Sequence, residues 1–154
     1  TAALFAAACE IGAVIAEQDA AKQKALRDYG YHLGVAFQIA DDVLDYTADE
    51  AQLGKTVGDD FREGKMTAPV ILALQKANAE ERNFWTRCMA DKNQQSGDLE
   101  QAKTIMRRHD TLGQGLALAN THVDAAVKSI SILPSGIFTN LLRDTAQYVV
   151  TRNT

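Results

Sequence analysis

Apolar residues recur at intervals of three and four along most of the chain, and the strict alternation expected of strands is scarce, so the pattern predicts an all-α protein. The opening run Ala2-Ala3-Leu4-Phe5-Ala6-Ala7-Ala8-Cys9 is apolar all round. It predicts a first helix from about Thr1 to Gln18, buried on every side. A second helix is expected from about Asp19 to Asp45, with Lys22, Lys24, Arg27 and Asp28 early and an apolar stretch after them. Gly30, Gly34, Phe37, Gln38, Asp41, Leu44 and Asp45 then share one face, where the glycines let another backbone approach, and His32 points the opposite way. Tyr46 to Met66 reads as one long irregular segment. A helix resumes near Thr67 with Pro69 in its first turn. Another follows from Glu80-Glu81-Arg82 through Trp85 to Ala90, and Asp91 to Gly97 is a polar link. Three amphipathic helices complete the chain, with Asp98 read as a cap at the start of the first and Leu133-Pro134-Ser135-Gly136 breaking the chain before the last.

Length and charge change this picture little. The 154 residues suit one domain with a real core, and the net charge of −4 with no basic stripe argues against a nucleic-acid surface. Cys9 and Cys88 lie far apart, without metal-ligand spacing, and read as free thiols of a reducing compartment. No apolar run approaches the ~20 residues of a membrane-spanning helix. Thr1 leads without a cap into a core-type helix, which suggests that the chain is the second part of a longer protein.

The chemistry concentrates in Phe37-Gln38-Ile39-Ala40-Asp41-Asp42-Val43-Leu44-Asp45. On a helix of about 100° per residue, Asp41 and Asp45 stack on nearly the same face while Asp42 turns away. Two stacked carboxylates repel unless a cation lies between them, and the negative end of the helix dipole adds to that pull. Oxygen ligands suit magnesium, which takes one or two protein carboxylates and completes its shell with water and phosphate oxygens. Lys55 and Lys65 follow glycines in the next segment and are placed to neutralise a diphosphate. Together the groups suit metal-assisted ionisation of a carbon–oxygen bond, with Gln38 beside the resulting cation and the Gly30, Gly34 and Phe37 face as an apolar wall.

Each feature also has a structural reading. By spacing alone, an acidic triplet at a helix end is as readily a solvated terminus as a metal site. Lysines in loops are commonly solvated, and Asp59-Asp60 suits a turn, although it could also assist a metal through water. His109 and His122 show no partner pattern, Asp98 and Glu100 suit helix-start charges, and Trp85 suits a partly buried anchor.

The order of the motifs goes further than any one of them. Gly34-Val35-Ala36-Phe37-Gln38-Ile39-Ala40-Asp41-Asp42-Val43-Leu44-Asp45-Tyr46, then Leu53-Gly54-Lys55-Thr56-Val57-Gly58-Asp59-Asp60, then Glu63-Gly64-Lys65-Met66-Thr67-Ala68-Pro69 closely resembles the second aspartate-rich region of the trans-type polyprenyl diphosphate synthases. Thr1-Ala2-Ala3-Leu4-Phe5 is similar to that family's Lys-Thr motif without its lysine. The nearest look is to the long-chain octaprenyl and decaprenyl type that makes quinone side chains.

The resemblance implies that residues 1–154 are the C-terminal part of one isoprenoid synthase domain, an all-α bundle around a central cavity. It implies a prenyltransferase that extends an allylic diphosphate with isopentenyl diphosphate and releases pyrophosphate, with magnesium as cofactor. Asp41 and Asp45 would be metal ligands, with Asp42 in the motif as ligand or hydrogen-bonding group. Lys55 and Lys65 would hold the allylic diphosphate, and Thr1 and Gln38 would lie beside the allylic carbon. For the intact enzyme it implies a homodimer in the cytoplasm, or in the mitochondrial matrix of a eukaryote, with at most transient contact with a membrane surface and a place in ubiquinone biosynthesis. The first aspartate-rich motif lies outside these residues, so the piece alone is expected to be inactive. Two rivals share features of this reading: a class I terpene cyclase, whose Asn, Ser and Glu metal triplet does not appear here, and a non-catalytic regulatory subunit of a heteromeric prenyl synthase. A plain helical scaffold leaves the spacing of acids and lysines unexplained.

Overall fold

The computed structural model describes residues 1–47 and 57–151, and every regular element among them is helical. The order is α1 (Ala2–Ile15), α2 (Ala20–Thr47), α3 (Asp59–Glu63), α4 (Ala68–Lys76), α5 (Ala79–Trp85), α6 (Asp98–Arg108), α7 (Thr111–Ser129) and α8 (Ile137–Thr151). A π turn over Thr86–Ala90 prolongs α5, and a 3-10 turn over Ile130–Ile132 closes α7.

Local chemistry sets these boundaries. The first helix stops at Ile15, short of Gln18, because Glu17 adopts a left-handed φ of 50° and the Gln18 side-chain amide donates to the Ala16 carbonyl at 2.9 Å. Asp19 then accepts the backbone N–H of Lys22 at 2.9 Å and starts α2. The α5 start is a capping box in which Asn78 and Glu81 each accept the other's backbone N–H. Pro69 lies in the first turn of α4, where its missing N–H costs nothing. The expected irregular segment from Tyr46 to Met66 is corrected on both sides: α2 continues through Thr47, and residues 59–63 form α3. Residues 48–56, including Lys55, lie outside the described residues.

The chain divides into two compact units, one of residues 1–40 and 117–154 and one of residues 41–116. In the first, Tyr29, Leu33 and Ala36 of α2 pack with Val123, Ala126 and Ile130 and with Ala146 and Val149 of α8. The Tyr29 hydroxyl donates to the Leu142 carbonyl at 2.7 Å. The glycine face of α2 is covered by α1: a Cβ built on Gly30 would meet the Phe5 carbonyl oxygen at 2.3 Å, and the Phe5 and Phe37 rings lie 5.8 Å apart. Close backbone approach is therefore borne out, with α1 lying directly against Gly30 and Gly34. Burial of α1 on every side is also corrected. Ala6 and Ala13 are buried, while Leu4, Ile11, Val14 and Ile15 are exposed, because α2 takes only one side of the helix.

The second unit is built around aromatic and sulfur-bearing side chains, among them Phe61, Phe84, Trp85, Cys88, Met89 and Met106. Trp85 is 1% exposed, a core residue and not a half-exposed anchor, because Phe61 and Phe84 both present edges to its ring. Full burial of groups such as Phe61 and Met106 contributes roughly 1.5–3 kcal/mol each relative to exposure. Asp98 is not a cap: Gly97 holds the cap position, and the Asp98 carboxylate turns inward to accept from both terminal nitrogens of Arg87 at 2.8 and 2.9 Å and from Gln95 N–H. His109 has a partner after all, Glu81 at 2.9 Å, and Glu81 also takes Arg108 at 2.7 Å. No helix among the described residues is long and apolar enough to cross a membrane.

Candidate active site

Asp41, Asp42 and Asp45 occupy the last two turns of α2, and the structure gives them different surroundings. Asp41 is exposed. Asp42 is buried and accepts the Ala68 N–H at 3.1 Å, which fastens it to the first turn of α4. Asp45 is half-buried, and its two oxygens accept the backbone N–H groups of Asp59 and Asp60 at 3.2 and 3.0 Å. Both hydrogen bonds lie at the start of α3, where unsatisfied amides and the helix dipole favour a negative charge.

Gly58 makes this return possible. Its backbone N–H donates to the Asp45 carbonyl at 2.8 Å, its φ is 86°, and an added Cβ would strike Leu99 at 2.6 Å. The aspartate-rich turn is thereby stapled to the helix that follows it through both main chain and side chain. Asp59-Asp60, a pair that suits a turn, instead opens α3, and its backbone amides donate to Asp45. The pairing of Asp45 with a Gly-Asp-Asp helix start was the available signal.

The electrostatics invite a cation. Burial raises the Asp45 pKa, and the neighbouring Asp60 and Asp59 carboxylates raise it further, against the lowering effect of the two amides. Burial also raises the Tyr46 phenol, with the charges of Asp45, Asp60 and Asp42 acting in the same direction. Tyr46 is 4% exposed and was not singled out in the sequence, because an apolar-compatible aromatic at a helix end carries no pattern of its own. Lys65 does not reach toward open solvent alone. Its ammonium pairs with Asp60 at 2.9 Å and Glu63 at 2.8 Å, which raises its pKa.

No cluster of three or more His, Cys, Asp or Glu side chains among the described residues is arranged to hold a metal by itself. Magnesium does not need one. Each Asp45 oxygen uses one of its lone pairs on an amide and keeps another, and Asp41 is exposed, so the donors present fit the carboxylate share of a magnesium shell whose remainder is water and phosphate. The other two predicted residues meet in the first unit, where the Thr1 hydroxyl donates to the Gln38 side-chain oxygen at 3.2 Å, both exposed.

Residues 1–106 match the family model described as polyprenyl synthetase. The chain belongs to the polyprenyl synthetase family. It is 37% identical over 153 residues to octaprenyl diphosphate synthase of Haemophilus influenzae, a match that takes 99% of this chain and 46% of that protein. Among solved structures, a decaprenyl diphosphate synthase from Rhodobacter capsulatus matches all of this chain and 47% of its own, with 46% identity and a TM-score of 0.92. A polyprenyl synthase from Caulobacter crescentus, complexed with calcium and isoprenyl diphosphate, matches 98% of this chain at 42% identity and a TM-score of 0.90. The chain thus spans about half the length of the curated relatives it matches, and its all-α architecture is that of the family.

Proposed function

We propose that the protein to which this polyprenyl synthetase chain belongs is a trans-polyprenyl diphosphate synthase that extends an allylic diphosphate with isopentenyl diphosphate and makes a long-chain product for quinone side chains. The observation that carries this reading is the division of labour in the acid cluster. Asp42 is tied to α4 through the Ala68 N–H, and Asp45 is oriented by two α3 amides beside the exposed Asp41. A solvated helix end has no need of such fixing. The naming of octaprenyl and decaprenyl relatives supports the long-chain assignment, and the calcium and isoprenyl diphosphate of the Caulobacter crescentus protein support a divalent cation and a diphosphate as the ligands.

Magnesium, when bound, would supply charge neutralisation for the departing pyrophosphate. Asp41 and Asp45 would hold it, with the α3 amides keeping Asp45 in one orientation. Lys65 would exchange its Asp60 and Glu63 partners for phosphate oxygens, and Lys55 would act with it. Thr1 and Gln38 would present oxygens to the developing allylic cation. Residues 1–154 supply a single aspartate-rich motif, so they are expected to show no turnover when isolated.

The test uses full-length protein with magnesium, an allylic diphosphate and isopentenyl diphosphate, measuring chain extension and binding of the allylic diphosphate. Asp41→Ala is expected to lower turnover at least ~100-fold, the scale on which loss of one electrostatic stabiliser is felt, and to abolish the magnesium dependence of binding. Full activity in that variant would overturn the assignment.

A further inference from the structure

His32 on α2 and His122 on α7 meet in the first unit, 90 positions apart in sequence, with their Nδ1 atoms 3.0 Å from each other. Two nitrogen lone pairs at that distance repel unless a proton or a cation is placed between them. The ring centroids are 5.3 Å apart, which is the nitrogen–nitrogen distance plus one ring radius at each end. The two nitrogens therefore point head-on at each other. Two imidazoles chelating one metal would instead converge on a point off that line, bringing the centroids closer together. The arrangement suits a shared proton and not a metal ion.

We propose that the His32–His122 pair is a proton-operated clip between α2 and α7, closed while the pair holds one proton at the Nδ1–Nδ1 contact and opened when a second proton arrives. The neutral pair has one Nδ1–H donor and one Nδ1 acceptor, and a first added proton is taken up at an outer Nε2 without loss of that bond. A second leaves both rings cationic and puts two N–H donors face to face at 3.0 Å, which no hydrogen bond can satisfy. Both rings are half-buried, so water screens that repulsion incompletely. Burial and the His32 neighbour both lower the His122 pKa, in keeping with a site that resists the second charge.

The surroundings add little relief. On α2, Asp28 stands one turn before His32, but its carboxylate is taken by Lys24. The exposed Tyr31 stands edge-on to His32 with centroids 5.4 Å apart. On α7, the positions one turn to either side of His122 are Leu118, Ala119, Ala125 and Ala126, which carry no charge, and Asp124 is exposed. The sign follows: a histidine whose folded pKa is depressed costs nothing above the unfolded value near 6.5 and progressively destabilises the fold as pH falls below it.

Nitrogen NMR of the imidazoles in full-length protein, from pH 4.5 to 8, reads the pair directly, and the resonances lost in His32→Gln and in His122→Gln assign its two rings. Two coupled rings titrating in separate steps, the second at least ten times more resistant to protonation than an ordinary histidine, is the expected result. Two rings titrating independently near 6.5 would overturn the proposal. Thermal unfolding of His122→Gln across the same range is expected to lose most of the acid-side fall in Tm seen in the parent, while keeping a neutral hydrogen-bonding group. An unchanged acid-side fall would also overturn it.

Discussion

The two units of this chain are held by different means. In the first, α1 lies so close on α2 that there is no room for a Cβ at Gly30, and the core is alanine, valine, leucine and isoleucine around one tyrosine. In the second, a core of large aromatic and sulfur-bearing side chains is accompanied by buried carboxylates that hold specific partners: Asp98 with Arg87, Glu81 with Arg108 and His109, and Asp42 with the α4 backbone. The first unit should be intolerant of added volume, and the second of a removed charge. The acid cluster belongs to the charge-organised unit, where carboxylates are oriented by backbone amides and by cationic side chains.

The largest effect that would sharpen this contrast is expected from Asp98→Ala. It strands the Arg87 guanidinium and the Gln95 N–H in a site where the Asp98 side chain is 7% exposed. Breaking a buried pair from one side costs about 3–5 kcal/mol, measurable by denaturant unfolding. The Asp98 pKa is lowered to about 2, chiefly by its hydrogen bonds from Arg87. Its contribution, about 2–3 kcal/mol by linkage, is therefore fully present above the unfolded value near 3.9 and lost as pH falls through about 2. A loss under 1 kcal/mol in the alanine variant would mean that the second unit is held by its aromatic core alone.

A smaller loss, about 1–3 kcal/mol, is expected from Gly30→Ala, since the new methyl meets the Phe5 and Ala6 backbone and α1 must move as a body. Denaturant unfolding would again report it, and a neutral outcome would show that α1 is free to slide. The smallest effect has the opposite sign. Gly12 lies within α1 with nothing within 4 Å of an added Cβ, so Gly12→Ala should stabilise the same unit by about 0.5–1 kcal/mol through helix propensity. Two glycine-to-alanine changes in one unit would then differ in sign for reasons of packing alone.

Much of the candidate site was legible before any coordinates. The four-residue spacing of Asp41 and Asp45 identified a shared helical face, and the order of acid cluster and glycine-lysine segments identified the family. What escaped was which carboxylate does what. Asp41, Asp42 and Asp45 are the same residue type on the same helix, and only α3 and α4, returning from positions 59 and 68, separate an anchored carboxylate from an exposed one. His122 looked partnerless for a similar reason, since its partner is 90 residues away. Asp98 looked like a cap because caps are local, whereas its real partner lies 11 residues back, across the π turn and the polar link.

What this sequence determined by itself is what short-range physics controls: where helices begin and end to within a turn or two, which faces are apolar, and which side chains share a register. Those follow from backbone geometry with a fixed period and from side chains acting on amides three or four residues away. Only the tertiary structure decided which polar groups meet, which apolar faces stay exposed and which glycines are crowded. Those outcomes depend on contacts between residues distant along the chain, where many partners are chemically acceptable and packing admits one.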